Sequence, residues 1–259
     1  MTNLQNKHAL VTGASRGIGA ACARQLAAAG ADVTLLARTE SALAERVDEL
    51  SADFGGTYQP VTADVTDREA LAAAFEEARG ALGAPDILVN NAGAADSAPM
   101  TRTDPELWRK MIAVNLDSVY YATREVLPAM LEAGSGRIVN NASTSGLVGY
   151  SYVTAYSAAK HGVVGLTRSL AKEVAGSGVT VNAVCPGYTE TALVDQSAQK
   201  VAAGSDKSAD DIKESFKRVN PQDRFVQPDE VASTIVWLCQ PAQRSINGET
   251  IAIDGGETA

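Results

Sequence analysis

The chain reads HALVTGASRGIG over residues 8–19, an apolar run that is followed at once by a turn with three glycines. Residues 20–29 then continue with helix-forming side chains. A strand, a glycine-rich turn and a helix in this order can bind a phosphate group, because the backbone N–H groups at the start of the helix attract an anion. Glycine-rich turns also close tight corners without any ligand, so the turn alone favours a nucleotide site only weakly.

Beyond this turn, the sequence alternates between apolar runs and helical patterns. The apolar runs predict buried strands over residues 8–12, 32–37, 57–62, 86–90, 137–141, 179–184 and 249–253. Parallel strands need helical crossovers, which cover both faces of a sheet, and continuous apolar strands are typical of that arrangement. The sequence therefore predicts an α/β doubly wound fold. It contains no internal repeat and no low-complexity linker, which favours a single domain over residues 1–259.

Two residues mark the start of a long helix. Asp104 can cap free N–H groups, and Pro105 is tolerated at the first helical position. The helix is expected to run to about residue 131, with Pro128 bending it or marking its last turns.

Other helices are predicted with less local detail. Thr39 or Ser41 is expected to cap the helix after the second strand, and further helices are expected over 154–174 and from Pro228. The segment 190–218 is polar and rich in Ala, Ser, Lys and Asp. It is expected to form either a helical lid or a plain surface insertion.

Composition excludes several classes of protein. The 259 residues carry 31 acidic and 22 basic side chains, a formal charge of −9, and nucleic acids and anionic membranes attract positive surfaces. Three cysteines in apolar surroundings indicate reduced, buried thiols, and two histidines offer little for a metal site. No apolar run reaches the roughly 18 residues of a membrane helix, and the first residues lack the apolar segment of a signal peptide. We therefore expect no metal, no nucleic acid, no membrane and a cytoplasmic location.

Further motifs occur in a fixed order along the chain. They are Asp64-Val65, Asn90-Asn91-Ala92-Gly93, Asn115, Ser143 thirteen residues before Tyr156-Ser-Ala-Ala-Lys160, and Pro186-Gly187 ahead of Thr191. With the Gly-x-x-x-Gly-x-Gly spacing of residues 13–19, this set resembles the short-chain dehydrogenase/reductase family from about residue 7 to residue 256. The resemblance implies a seven-stranded parallel Rossmann sheet. It also implies a homo-oligomer, usually a tetramer and otherwise a dimer, whose dimer interface uses the helices near 104–131 and 154–174.

The resemblance implies hydride transfer between a nicotinamide and a carbonyl carbon, with Tyr156 as proton donor and acceptor. A free phenol has a pKa of about 10, so the Lys160 ammonium, one helical turn away, is expected to lower it. Ser143 would hydrogen-bond the substrate oxygen, and Asn115 resembles the family's helix-kinking Asn in a water relay to the Lys. Tyr-x-x-x-Lys also occurs as an ordinary surface pair, and Asn115 could merely satisfy a helix break.

Two neighbours of these residues are alternatives that we weigh and set aside. Ser145 competes with Ser143, but its distance from Tyr156 along the chain is two residues short of the family's spacing. His161 adjoins Lys160 and is expected to pack or to face solvent rather than to act in the reaction.

The end of the second predicted strand indicates the cofactor. An acidic side chain there accepts from the ribose 2′-hydroxyl of NAD, but this chain has Ala37-Arg38. Arg38 offers a planar fork for a 2′-phosphate, and Arg16 lies where the family often has a second phosphate-binding base. NADP(H) is the preferred cofactor. The alternative is that both arginines are solvated and the protein also accepts NAD(H).

The family's pattern extends these roles to a larger set of positions. The expected cofactor-binding residues are Gly13, Ser15, Arg16, Gly17, Ile18, Gly19, Arg38, Asp64, Val65, Asn91, Ala92, Gly93, Tyr156, Lys160, Pro186, Gly187, Thr189 and Thr191. Asp64-Val65 is expected to meet the adenine, 91–93 to line the adenosine side, and Thr189 with Thr191 to bind the carboxamide. The expected substrate wall consists of Ser143, Val148, Tyr150, Tyr188, Leu193 and the segment 190–218.

The substrate is indicated less directly. Residues 156–167 and 181–188 are similar to those of 3-oxoacyl thioester reductases and polyketide ketoreductases, whose substrates are carried on an acyl carrier protein or coenzyme A. The main alternative is a catabolic secondary-alcohol or 3-hydroxyacyl-CoA dehydrogenase that uses NAD. A non-catalytic nucleotide-binding subunit is disfavoured by the intact Ser, Tyr and Lys. An enoyl reductase is disfavoured because that branch typically spaces its Tyr and Lys seven residues apart.

Overall fold

A computed structural model describes residues 3–259, and in that range one parallel sheet runs through the centre of the protein. The strand order is β3-β2-β1-β4-β5-β6-β7, and every neighbouring pair is parallel. The strands are β1 His8–Thr12, β2 Asp32–Ala37, β3 Tyr58–Thr62, β4 Ile87–Asn90, β5 Gly136–Asn141, β6 Val179–Pro186 and β7 Thr250–Ile253. The predicted seven-stranded parallel sheet is confirmed.

Helices lie on both faces of this sheet. They are α1 Gly17–Ala28, α2 Glu40–Asp53, α3 Arg68–Leu82, α4 Pro105–Ile112, α5 Ser118–Ala133, α6 Thr154–Glu173, α7 Ala192–Ala202, α8 Ala209–Lys217 and α9 Pro228–Leu238. One apolar layer includes Leu26 of α1 and Ile235 of α9, and the other includes Phe75 of α3 and Val126 of α5. The strands are covered on both sides, which explains their continuous apolar sequences.

The helix expected over 104–131 is divided at Asn115, where the family resemblance implies a kink. It is two α-helices, α4 and α5, joined by a π-helical segment at Ala113–Asp117, while Pro128 lies inside α5. Asn115 in the π segment donates from Nδ2 to Ala94 O at 2.9 Å and to Met111 O at 3.0 Å. The break therefore occurs where a buried amide competes for helix carbonyls, rather than at the proline.

The predicted helix caps are confirmed only in part. Asp104 Oδ1 accepts from Leu107 N at 2.7 Å, as expected for the start of α4. The expected cap of α2 is wrong, because Thr39 stands at its N-cap without a side-chain hydrogen bond and Ser41 lies inside the helix. The segment 190–218 contains α7 and α8, joined by an ion pair in which Lys213 Nζ lies 2.6 Å from Asp195 Oδ1.

A buried polar network ties the central strands to the helices beneath the carboxyl edge. Asn90 Nδ2 on β4 donates to Asn140 Oδ1 on β5 at 2.9 Å and to Thr123 Oγ1 on α5 at 3.2 Å. Asn140 Nδ2 donates to Thr167 Oγ1 on α6 at 2.9 Å. Because buried amides must find partners, this network sets the position of α6 relative to β5.

Candidate active site

The glycine turn lies at the carboxyl end of β1, next to β4, where the crossovers leave on opposite faces of the sheet and open a crevice. Gly13 and Gly17 have φ values of 67° and 57°, which favour glycine. A Cβ on Gly19 would lie 2.2 Å from Gly13 O. The first turn of α1 carries no acidic residue, so its N–H groups can donate hydrogen bonds to a pyrophosphate. These residues fit a dinucleotide.

The segment after β4 supports this turn. Thr12 Oγ1 accepts from the N–H groups of Asn91 and Ala92, both at 3.0 Å. Asn91 Nδ2 donates to Thr12 O at 3.0 Å and to Gly13 O at 3.2 Å. The Asn91 side chain thus holds the glycine turn in shape. The expectation that residues 91–93 line the adenosine side stays a prediction.

The predicted catalytic residues meet at the carboxyl end of β5 and the first turns of α6. Ser143 follows β5, and its hydroxyl accepts from Ser145 N at 3.1 Å. Lys160 is 5% exposed, and its Nζ donates to Asn141 O at 2.8 Å and lies 5.7 Å from the centre of the Tyr156 ring. The preference for Ser143 over Ser145 remains a prediction.

Burial sets the pKa values in this group. It raises the pKa of Tyr156, and a hydrogen bond with Ser143 acts in the opposite direction. Burial also lowers the pKa of Lys160 to about 8. Loss of water around the phenol is the largest influence on the Tyr156 pKa, and the expectation that Lys160 lowers it stays a prediction.

Asn115 links this group to the segment after β4. Its Oδ1 accepts from Ala94 N at 3.2 Å, and a Cβ on Gly93 would lie 2.8 Å from the same oxygen. Asn115 is fully buried. The π segment therefore fixes the loop that closes the site on the β4 side.

Comparisons with known proteins agree with this geometry. A family model described as enoyl-(acyl carrier protein) reductase matches residues 13–258. A ketoacyl reductase of the monensin polyketide synthase from Streptomyces virginiae is 42% identical over 258 residues, covering 99% of this chain and 98% of the relative. The chain belongs to the short-chain dehydrogenase/reductase family.

Two further relatives of this short-chain dehydrogenase/reductase differ in their named activities. D-beta-hydroxybutyrate dehydrogenase of Rhizobium meliloti is 38% identical and covers 98% of this chain and 99% of the relative. The crystal structure of a single-residue variant of actinorhodin polyketide ketoreductase with NADPH aligns with a TM-score of 0.93 at 37% identity, covering 97% of each chain. The family and fold are shared across reductases and dehydrogenases.

In this short-chain dehydrogenase/reductase, the loop after β6 faces the glycine turn. A Cβ on Gly17 would lie 3.2 Å from Thr191 Cγ2, although the two residues are far apart in sequence. Thr191 Oγ1 donates to Thr189 O at 3.2 Å, and Thr189 Oγ1 donates to Gly187 O at 3.0 Å. The glycine turn and the loop that carries Thr191, both of which are expected to bind the cofactor, are therefore adjacent in space.

The end of β2 carries the expected basic group. The Arg38 side chain is 75% exposed, and its Nη1 lies 3.9 Å from Asp64 Oδ2. Hydrogen bonds from Thr66 hold the pKa of Asp64 below its usual value. Arg16 is exposed at the N-cap of α1. Both arginine side chains are thus exposed, and Arg38 has Asp64 as an ionic neighbour.

The expected substrate wall contains two residues that the sequence did not reveal. Tyr188 stacks on Phe216 of α8, with ring centres 4.5 Å apart and planes at 9°. The Tyr150 hydroxyl donates to Glu257, which follows β7. Val148 is exposed and Leu193 is partly buried. Phe216 and Glu257 are remote in sequence from every motif, so no local signal identifies them.

An ion pair connects the segment 190–218 to the opposite rim. Lys200 of α7 contacts Asp96, which follows β4, and Lys110 Nζ of α4 lies 3.8 Å from the other oxygen of Asp96. The choice between a lid and a surface insertion for the segment 190–218 stays a prediction.

The three cysteines and His161 have the burial that the sequence predicts. Cys22, Cys185 and Cys239 are buried and unpaired, and His161 is exposed with Nδ1 2.9 Å from Ser157 O. Within residues 3–259, no cluster of three His, Cys, Asp or Glu side chains is arranged to hold a metal. Helices in the same range are too short or too polar to cross a membrane.

Proposed function

We propose that this short-chain dehydrogenase/reductase uses NADPH to reduce the 3-oxo group of an acyl thioester or polyketide to a secondary alcohol. The observation that carries the proposal is the group formed by Ser143, Tyr156 and Lys160, next to the glycine turn and the loop after β6. Bound NADPH supplies the hydride. The chain supplies the proton and holds the oxygen that receives it.

The proposed proton path uses the pKa values of the site. Tyr156, with its raised pKa, keeps its proton at neutral pH and donates it to the carbonyl oxygen as that oxygen becomes an alkoxide. The Ser143 hydroxyl donates a hydrogen bond to the same oxygen and stabilises its developing charge. Lys160 stabilises the phenolate that remains on Tyr156. Asn115 is a positioning residue, because its amide holds Ala94 beside the site.

The preference for NADPH rests on charge at the end of β2. Arg38 is exposed there. Positions 37 and 38 hold no acidic residue that would repel a 2′-phosphate. Asp64 neutralises part of the Arg38 charge at 3.9 Å, so NAD(H) remains the alternative cofactor. The NADPH-bound ketoreductase with a TM-score of 0.93 supports the preferred choice.

The choice of a 3-oxoacyl substrate rests on the relatives and on the spacing of the reacting residues. A ketoacyl reductase is among the similar proteins. Tyr156 and Lys160 are four residues apart, which favours a ketoreductase over the enoyl reductase of the family description. The hydroxybutyrate dehydrogenase relative is the observation that favours the second candidate, an oxidative alcohol dehydrogenase using NAD. In the proposed reductase, the 3-oxoacyl group would be carried on an acyl carrier protein or on coenzyme A.

The test is an absorbance assay at 340 nm with NADPH and then NADH. The panel contains a 3-oxoacyl thioester, a bicyclic ketone, and simple aryl and alkyl ketones. Strong preference for the thioester with NADPH supports the proposal. Activity only with free ketones, or faster alcohol oxidation with NAD, contradicts it and favours the second candidate.

We also propose a cytoplasmic homotetramer, or a homodimer, built through the α4–α5 and α6 faces. Trp108, Tyr120 and Leu131 on α4 and α5 are 40%, 47% and 43% exposed, and apolar side chains of this size are commonly covered by a partner. Three reduced thiols suit the cytoplasm. Light scattering tests the assembly, and a monomer at micromolar concentration would contradict it.

A further inference from the structure

The substrate wall contains a carboxylate with an unusual environment. Glu257 follows β7 and is partly buried, and its Oε1 accepts from the Tyr150 hydroxyl. Its Oε2 is buried and has no hydrogen-bond partner within residues 3–259. Burying a carboxylate oxygen without a donor costs free energy. This charge is therefore poorly neutralised by the surrounding protein.

Glu257 lies against the loop that carries the expected nicotinamide contacts. Its Oε2 is 2.9 Å from the position that a Cβ on Gly187 would take. Burial, together with the charges of Glu257 and Tyr156, raises the pKa of Tyr188 to about 12. Tyr188 is thus within electrostatic range of both the wall carboxylate and the proposed proton donor.

The other charges near Glu257 do not cancel its own. Asp254 is also acidic, and it accepts from Gly256 N at 2.9 Å and Thr258 N at 3.0 Å. Lys160 is the cation of the reacting group, but its Nζ is hydrogen-bonded to Asn141 O. Burial lowers the pKa of Lys160 to about 8, so part of its charge is lost in mildly alkaline solution.

We infer that Glu257 determines specificity by excluding 3-oxo acids with a free carboxylate and admitting their uncharged thioesters. The inference rests on the proposed function, because it assumes that Tyr156 and Ser143 hold the 3-oxo oxygen. In acetoacetate the carboxylate is two carbons from the reacting carbon, whereas a thioester is uncharged at the same position. Glu257 would therefore disfavour 3-hydroxybutyrate, the carboxylate for which the dehydrogenase relative is named.

The size of the effect follows from like-charge repulsion. Two negative charges at a separation of roughly 8 Å in a partly buried site, at an effective dielectric constant of about 20, change a binding constant by about 10- to 30-fold. Glutamine has nearly the same shape as glutamate and no charge. Glu257→Gln therefore removes the repulsion while leaving a group that can accept from Tyr150.

The experiment compares acetoacetate with its N-acetylcysteamine thioester, using NADPH at pH 8. Burial raises the pKa of Glu257, so the assay is run on the alkaline side of neutrality, which favours its carboxylate form. We expect the wild type to favour the thioester by at least about 10-fold in kcat/KM. In Glu257→Gln we expect the ratio of kcat/KM for acetoacetate to kcat/KM for the thioester to rise about 10-fold.

Glu173→Gln is the matched control, since it makes the same change of charge at the exposed far end of α6 from Tyr156. It should leave both substrates unchanged. NADPH titration checks that Glu257→Gln keeps its fold. An unchanged substrate ratio in a variant that still binds NADPH overturns the inference but not the proposed function.

The wild type provides an independent measurement. Acetoacetate at millimolar concentration should not compete with the thioester, and strong competitive inhibition or equal turnover of the two substrates overturns the inference. A wild type that reduces neither substrate refutes the proposed function itself, and the inference with it.

Discussion

Tyr156 and Lys160 are one helical turn apart, and burial moves their pKa values in opposite directions, toward the uncharged form of each. A phenol that keeps its proton is suited to donate it during ketone reduction. The reverse oxidation needs the phenolate and should therefore gain from alkaline solution. The residue pair thus favours reduction at neutral pH.

Tyr156→Phe removes the donated proton and keeps the ring. We expect kcat for reduction to fall by about 10²- to 10⁴-fold, the usual contribution of a positioned general acid, with little change in NADPH affinity. Steady-state assays and fluorescence titration of NADPH measure the two quantities. A variant that kept most of its kcat would show that another group transfers the proton.

Lys160 predicts a pH dependence of the reduction. Burial lowers its pKa from 10.5 to about 8, so raising the pH through about 8 removes the charge that stabilises the Tyr156 phenolate. We expect kcat/KM for reduction to fall above this pH. Lys160→Arg keeps its charge and should lose the inflection, even at lower activity. A wild-type profile that stays flat well above that pH would contradict the role.

Arg38→Asp reverses the charge at the end of β2. A charge-assisted hydrogen bond contributes about 1.5–3 kcal/mol, so losing it should move the NADPH-to-NADH preference by about 10- to 100-fold toward NADH. The ratio of kcat/KM for the two cofactors measures the change. Arg24→Asp on the exposed side of α1 is the control. An unaltered ratio in Arg38→Asp would mean that Arg38 does not meet the phosphate.

At the scale of elements, α7 is held to the opposite rim by Lys200 and Asp96. A partly exposed ion pair contributes about 0.2–1 kcal/mol, so Asp96→Asn should raise KM about two- to fivefold by freeing the lid, with a smaller effect on kcat. Asp206→Asn, on the exposed connection between α7 and α8, should have no effect. Equal changes in both variants would count against the role of the pair.

Most elements could be predicted because their signals are local. β1 and β2 have the predicted bounds, and α6 begins at Thr154 as expected. The family resemblance marks Asn115 as a helix-kinking residue, but the local pattern does not predict the π segment, which depends on a hydrogen bond to Ala94 in a different loop. Pro128 is tolerated within α5, although the local rule places a bend or an end there. Tertiary contacts override the local preference in both cases.

The reacting residues of the site could also be predicted, because their motifs are local in sequence, whereas two residues of the expected substrate wall could not. Family motifs mark Ser143, Tyr156 and Lys160 by their spacing, and the structure brings them together. Phe216 and Glu257 belong to the wall only because α8 and the segment after β7 fold back onto it. Their contribution depends on long-range packing, which a residue pattern does not contain.

At the scale of the whole molecule, His8 couples stability to pH. It is buried at the start of β1, with Nε2 2.8 Å from Thr34 Oγ1 and Nδ1 2.7 Å from Gly83 O, and burial lowers its pKa below 6.5. The unfolded chain takes up this proton first as the pH falls. His8 therefore contributes stability that is present above pH 6.5 and lost on acidification from there toward its folded pKa.

Urea unfolding at pH 7.5 and pH 5.5 tests this expectation. The free energy of unfolding should fall more on acidification in the wild type than in His8→Gln. The difference is at most about 1.4 kcal/mol per pH unit, the limit for one proton. Both proteins share every other titrating group, so the comparison isolates His8. Identical losses would show that His8 is not the source of the pH dependence.

The contact between Gly17 and Thr191 has a consequence for biosynthesis. A ribosome completes the glycine turn almost at once, yet the surface that the turn faces emerges only after β6. A nascent chain that stops at β5 contains five of the seven strands but only one side of the crevice, because the opposite side lies in residues not yet synthesised. The crevice is therefore completed late in synthesis, after most of the strands have been made.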